Sequence, residues 1–167
     1  VGSGEGHSAV FSCYHHKAIG VDAEFLIGYD AGFMLDDYGW VDMDSSRRPL
    51  RIAMKSKMDQ GKTLTVGGYT GRHRKTGVVK LGADNINDAF AVAIADALGA
   101  DSVEIIKDVP AVYHVPPKLD EFVFGDYGSL EKLSYNETRK LSSRGLLVIH
   151  PQAAQLAQNK NIPIFVK

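Results

Sequence analysis

Segment 88–99 places the tightest limit on the fold. It reads Asp88-Ala89-Phe90-Ala91-Val92-Ala93-Ile94-Ala95-Asp96-Ala97-Leu98-Gly99, apolar at every position from 89 to 98 except Asp96. It is long enough for about three helical turns and ends on a glycine, the residue that accepts the left-handed conformation closing many helices. A helix that is apolar around its circumference has no face to give to water, so it must be covered on most sides. At 167 residues the chain is long enough to bury a core of that kind, and one domain is the default.

What surrounds this helix alternates. A helix is expected from about Ser3 to Ile19, with Val10, Phe11, Tyr14 and Ala18 at helical spacing, Ser3 as cap, Glu5 in the first turn and Gly20 as stop. A strand follows at 21–27, then a loop at 28–39 holding Asp36-Asp37, and a short strand at 40–43. Residues 49–60 read as an amphipathic helix with Pro49 in its first turn and Gly61 at its end. Further strands are expected at 63–66, 102–106 (buried and central) and 162–166. Two more helices are expected at 134–144, opened by a Ser134-x-x-Glu137 capping box, and at 152–160. Pro110, Pro116 and Pro117 forbid a regular helix in 109–117. Helices and strands in this order predict a three-layer α/β sandwich with a mostly parallel sheet.

Composition narrows the function classes. A net charge of −1 supplies no field that would draw nucleic acid or an anionic membrane, so no nucleic-acid or membrane partner is expected. One cysteine, Cys13, excludes an internal disulfide and a cysteine-based zinc site; among apolar helical neighbours it reads as a small buried hydrophobe, and a cytoplasmic location fits. His15 and His16 are adjacent and point about 100° apart on a helix, which is not a ready metal pair. No metal ligand is assigned.

The chemistry-bearing stretch is 66–88. A strand ends at Val66 and runs into Gly67-Gly68-Tyr69-Thr70-Gly71; a basic loop with Arg72, Arg74, Lys75 and Lys80 follows, and a second turn opens the apolar helix at Asn87 or Asp88. Glycines let a backbone approach a ligand, and amides at a helix start attract anions, so the stretch suggests a site for a nucleotide or other phosphorylated ligand. The alternative is a hairpin with a solvated basic tip. In an open parallel sheet, ligands sit beyond the carboxyl ends of strands, which is where Gly68, Gly71 and the Lys107-Asp108 strand end would lie.

The order of these motifs resembles the aspartate kinases of the amino-acid kinase family. Residues 1–9 resemble the family's substrate segment, a serine and Gly-Glu before a helix. Ala31-Gly32-Phe33 with Asp36-Asp37 resembles an Ala-Gly-Phe and acidic segment, and 66–71 resembles the Gly-Phe-x-Gly turn. Leu81-Gly82 and Asp88 resemble the edges of the Leu-Gly-Arg-Gly-Gly-Ser-Asp loop, and 106–118 resembles the nucleotide segment. Residues 133–151 and 162–167 resemble the Leu-Ser-Tyr-x-Glu to His-Pro stretch and the Ile-Pro-Ile-x-Val-Lys ending. The resemblance implies an aspartokinase-like α/β fold, ATP and Mg²⁺, and phosphoryl transfer to an amino-acid carboxylate. It assigns Asp88 as the catalytic aspartate, Glu5 to the substrate amine, and Gly68, Gly71, Asp108, Tyr113 and Lys118 to the nucleotide. The competing readings are a helix-start charge for Glu5, an N-cap for Asp88, a strand-end turn for Asp108 and a core aromatic for Tyr113. His150 falls in a structural motif and is not expected to act as a base.

Residues 1–167 are expected to form one aspartokinase-like domain without the family's N-terminal Lys-Phe-Gly-Gly phosphate segment or its regulatory domains. Other motif positions also depart. The loop arginine is Ala83, the loop glycines become Asp84-Asn85-Ile86-Asn87, and the lysine of Gly-Ala-Lys-Val is Leu147. In the nucleotide segment threonine becomes Lys107, two aspartates become Pro110 and Pro116, glycine becomes Ala111, and arginine becomes Lys118. Phosphoryl transfer depends on positioning and charge neutralisation, so the chain alone is expected to be inactive. Three accounts follow: a kinase completed by a further segment or a second chain, as homo- or hetero-oligomer; a relative with another substrate; or an inactive relative acting as a ligand-binding or structural subunit.

Overall fold

The structure is a computed structural model that describes residues 2–107, 112–113, 129–130, 132–143 and 149–167. In chain order the elements are α1 (Gly2–Ala18), β1 (Ala23–Leu26), α2 (Gly28–Ala31), β2 (Met34–Leu35), α3 (Met43–Met58), β3 (Thr63–Val66), β4 (Thr70–His73), β5 (Val79–Leu81), α4 (Asn87–Leu98), β6 (Val103–Ile105), β7 (Val112–Tyr113), β8 (Ser129–Leu130), α5 (Tyr135–Ser143), α6 (Pro151–Lys160) and β9 (Ile164–Val166). Pairing is mostly parallel, as the alternation predicts: β1 with β3, β2 with β4, and β6 with β9. The antiparallel pairs are β4 with β5 and β7 with β8.

Helices cover both faces of the β1–β3 pair. Leu26, Leu64 and Val66 point into the main core. From the opposite face, Thr65 Oγ1 donates to the Ala9 carbonyl of α1 at 2.9 Å. The apolar α4 lies where its composition requires, packed against α3, α6 and β6. Ala89, Val92 and Ala93 are fully buried, and the Phe90 ring stacks on Phe33 at 4.1 Å between centroids. Asp96, the one charge in this apolar run, is held by Arg47 of α3 at 2.6 Å, so the helix buries no unpaired carboxylate. Cys13 is buried and free, as its neighbours predict.

Several boundaries differ from the sequence expectation, each for a local reason. Helix α3 starts at Met43 because Asp42 caps it, accepting from the Ser45 amide at 2.9 Å; Pro49 therefore sits inside the helix. The expected loop at 28–39 contains α2 and β2, and of the expected strand at 40–43 only Val41 bridges Leu35. Gly28 opens α2 within contact of β4: a Cβ there would lie 2.1 Å from the Thr70 carbonyl oxygen, which only glycine avoids. The strand expected at 102–106 is shorter and one-faced. Val103 and Ile105 are buried, whereas Glu104 is exposed and pairs with Lys167, and Ile106 is 82% exposed. The capping box of α5 forms in both directions: Ser134 N donates to Glu137 Oε2 at 2.8 Å and Glu137 N donates to Ser134 Oγ at 3.2 Å. Among the described residues no helix is long and apolar enough to cross a membrane.

Candidate functional site

The carboxyl end of β3 is where the first turns of α1 and α4 converge. Glycines permit it. A Cβ on Gly67 would lie 3.0 Å from the Glu5 carbonyl oxygen, and one on Gly68 would lie 2.4 Å from Asn87 Oδ1. Asn87, at the start of α4, donates from Nδ2 to Glu5 Oε1 at 3.2 Å. The Gly67-Gly68 turn thus brings Glu5 and Asn87 into one cluster. Beside it lies an open groove of about 240 Å³ lined by Glu5, Ser8, Ala9, Ser12, Thr65, Val66 and Gly67. Its polar lining is one carboxylate, hydroxyls and backbone, a set of acceptors suited to an ammonium group.

One residue beyond Asn87, Asp88 is enclosed. Its carboxylate accepts from Lys107 Nζ at 3.1 Å on Oδ1 and 3.2 Å on Oδ2, and from the His150 amide at 3.0 Å on Oδ2. Its side chain is 12% exposed, against 29% for Lys107. Asp88 is not the N-cap of α4; that position is Ile86, which has no side-chain cap hydrogen bond. Lys107 follows β6, and its backbone is fixed beside the β6–β9 ladder by its amide, which donates to the Lys167 carbonyl at 2.8 Å. Asp88 therefore joins the start of α4, the end of β6 and the entrance of α6.

His150 is 8% exposed, and its Nδ1 accepts from the Gln152 amide at 3.2 Å, capping α6. Trp40 presents a near-perpendicular ring at 5.7 Å. Burial pushes the imidazole below its ordinary value, and the nearby Asp88 carboxylate opposes this only in part. The folded protein therefore favours neutral His150. That contribution is fully present above the unfolded histidine value near 6.5 and is lost as pH falls below it. Thermal midpoints should hold steady from pH 8 to 7 and drop between pH 6.5 and 5. His150→Asn should flatten that drop, and an unchanged drop in the variant would contradict the assignment.

The basic loop resolves as the hairpin of β4 and β5, and its cations meet acidic partners. Arg74 pairs with Asp42 at 2.5 Å, Lys75 with Asp37 at 3.2 Å, and Arg72 approaches Asp30 at 3.7 Å; Lys80 donates to the Asp37 carbonyl. Asp37 also meets His73 Nε2 at 2.9 Å, and the His73 and Lys75 hydrogen bonds hold its carboxyl below the usual range. The loop is therefore a hairpin whose cations lie on acidic neighbours. Gly71 belongs to β4 and lies over β2, where a Cβ would meet Leu35 Cγ and the Phe33 carbonyl oxygen at 2.8 Å. In the following turn Ile86 is fully buried, with its Cγ2 at 2.7 Å from a Cβ built on Gly82. The turn before α4 is thus anchored in the core.

The structure brings Glu5, Gly68 and Asp88 to one edge. Asp108, Lys118 and Leu147 lie outside the described residues. Tyr113 has a described backbone, paired with Ser129 in β7–β8, while its side chain lies outside the description. Sequence reasoning passed over Asn87, the link to Glu5, and placed Lys107 at the ligand edge of the sheet without giving its side chain a role. A cation at the carboxyl end of a parallel strand was the signal available for Lys107. Among the described residues no group of three His, Cys, Asp or Glu side chains could hold a metal ion.

A profile of the Amino acid kinase family matches residues 2–167. The chain belongs to the amino acid kinase family. Aspartokinase 2 of Bacillus subtilis (strain 168) is 30% identical over 152 residues, which cover 89% of this chain and 35% of that protein. The aspartokinase of Corynebacterium efficiens is 28% identical over 151 residues, 90% of this chain and 34% of its own length. The crystal structure of E. coli aspartokinase III in complex with aspartate and ADP (R-state) superposes with a TM-score of 0.85 at 22% identity, over 98% of this chain and 36% of that one. The structure of Clostridium acetobutylicum aspartate kinase gives 0.75 at 24% identity, over 99% and 34%. The aspartokinase-like fold expected from the motifs is therefore the fold of this chain. The chain spans about a third of the length of these relatives.

Proposed function

We propose that this chain forms the substrate-facing part of an aspartokinase-like phosphotransferase. In this reading ATP, with its Mg²⁺ as part of the substrate, donates a phosphoryl group to the carboxylate of an amino acid. The observation that carries it is the convergence of Glu5 and Asp88 on the start of α4, through Asn87 on one side and Lys107 on the other. Glu5 holds the substrate ammonium. Asp108, Tyr113 and Lys118 remain the nucleotide contacts that the family motif assigns, with Gly68 in the turn after β3 and Gly71 in β4.

The chemistry asks for cations more than for a base. A substrate carboxylate is already deprotonated at neutral pH. Its oxygen attacks the γ-phosphorus, the bond to the β–γ bridging oxygen breaks, and an acyl phosphate and ADP result. No proton leaves the nucleophile. The work of the site is to align the two substrates and neutralise the phosphoryl oxygens. Asp88, whose carboxylate accepts from Lys107 and the His150 amide, acts as an organiser of that charge.

A second reading is favoured by one feature. The turn at 83–87 has Ala83 and Asp84 in place of the loop arginine and first glycine, and Ile86 is anchored in the core. A site altered in this way can bind ligands without turning them over. The deciding assay is hydroxamate formation from aspartate with ATP and Mg²⁺, run on the 167-residue chain and on the native protein with every chain in it weighed. We expect no turnover by the chain alone and turnover by a native assembly that adds a phosphate-contacting lysine. Nucleotide binding without turnover in the native assembly would establish the second reading. Robust turnover by the isolated chain would contradict the need for completion.

A further inference from the structure

We propose that Lys107 is the side chain through which this protein meets the phosphates of its nucleotide, in place of the motif lysine that Leu147 replaces. The inference rests on the reading of the site given above and adds the residue that supplies its charge. Lys107 stands where the aspartokinase motif has threonine, so the family pattern does not assign it this role.

Three observations carry it. Lys107 Nζ reaches both oxygens of Asp88, at 3.1 and 3.2 Å. Its backbone is held at the end of β6 by the Lys167 carbonyl, so the side chain leaves a fixed point. Its side chain keeps 29% of its surface open while Asp88 keeps 12%, so Lys107 is the more accessible side chain of the pair. An ammonium has three donors, and two carboxylate oxygens on one side leave it able to turn toward a phosphate oxygen. The cations of the β4–β5 hairpin are spread over Asp30, Asp37 and Asp42 instead. The bland alternative is that the pair only ties β6 to α4. In that case Asp88 would need a partner but no ligand would feel Lys107.

The two alternatives separate in calorimetry of the native protein with ADP and with adenosine, for the wild type, Lys107→Met and Lys107→Arg, each checked for a cooperative melt. ADP should bind the wild type more tightly than adenosine. Lys107→Met should weaken ADP by roughly tenfold or more, leave adenosine unchanged and so erase the preference. Lys107→Arg should keep ADP affinity within about threefold, since the charge remains. Equal ADP affinity in the wild type and Lys107→Met would overturn the inference and leave the nucleotide reading intact. Equal loss of ADP and adenosine, with a lowered melt, would overturn it in favour of the structural tie. A wild type that binds neither compound at millimolar concentration would remove the nucleotide reading and this inference together.

Discussion

Val92→Asp should abolish the cooperative unfolding transition of this protein. Val92 is fully buried in α4, inside the cluster that also holds Phe33, Leu50, Met54 and Phe90. A carboxylate there would have no partner, and burying an unpaired charge costs several kcal/mol after relaxation. Set against a typical total stability of about 5–15 kcal/mol, that loss consumes most or all of the margin. The measurement is circular dichroism through a thermal or urea ramp. A cooperative transition within a few degrees of the wild type would show that α4 is not the helix around which the core is built.

Asp88→Ala should have the largest effect on function. The truncation removes the acceptor of two groups at once, the Lys107 ammonium and the His150 amide. The stability cost should be about 1–3 kcal/mol, the usual result of leaving partly buried donors without their acceptor. The functional cost should be larger. If the native protein transfers phosphate, the rate should fall by about a hundredfold or more, because the charge Asp88 organises acts mainly in the transition state. Asp88→Asn separates the two effects. It keeps an acceptor for the His150 amide while dropping the charge that orients Lys107, so it should melt near the wild type and still lose most of the rate. Full activity in Asp88→Asn would mean that the pairing with Lys107 is not used.

Much of this architecture could be read from the chain because its signals are local. The apolar run of α4, the capping box of α5 and the glycine turn after β3 each depend on a few neighbouring residues, and each appears where the pattern puts it. Other features were hidden because they depend on partners far away in sequence. Nothing within 49–60 reveals that Asp42 starts α3 earlier and leaves Pro49 inside it. The run 89–98 does not say that Val92 is fully buried while Ile94 is only partly so, since that depends on where α3 and α6 lie. Nothing in the run 72–80 shows that Asp30, Asp37 and Asp42 lie beside its cations. Asn87 and Lys107 gain meaning only when the start of α4 is set beside Glu5 and the end of β6.

The central claim is that Glu5 and the Asp88–Lys107 pair face two parts of one site. A crystal structure of the native protein with ADP and aspartate bound tests it most directly. The account predicts the aspartate ammonium within hydrogen-bond reach of Glu5 and the nucleotide phosphates within reach of Lys107 Nζ, with both ligands meeting over the first turn of α4. Phosphates bound to the β4–β5 hairpin, or an aspartate that leaves Glu5 untouched, would contradict it.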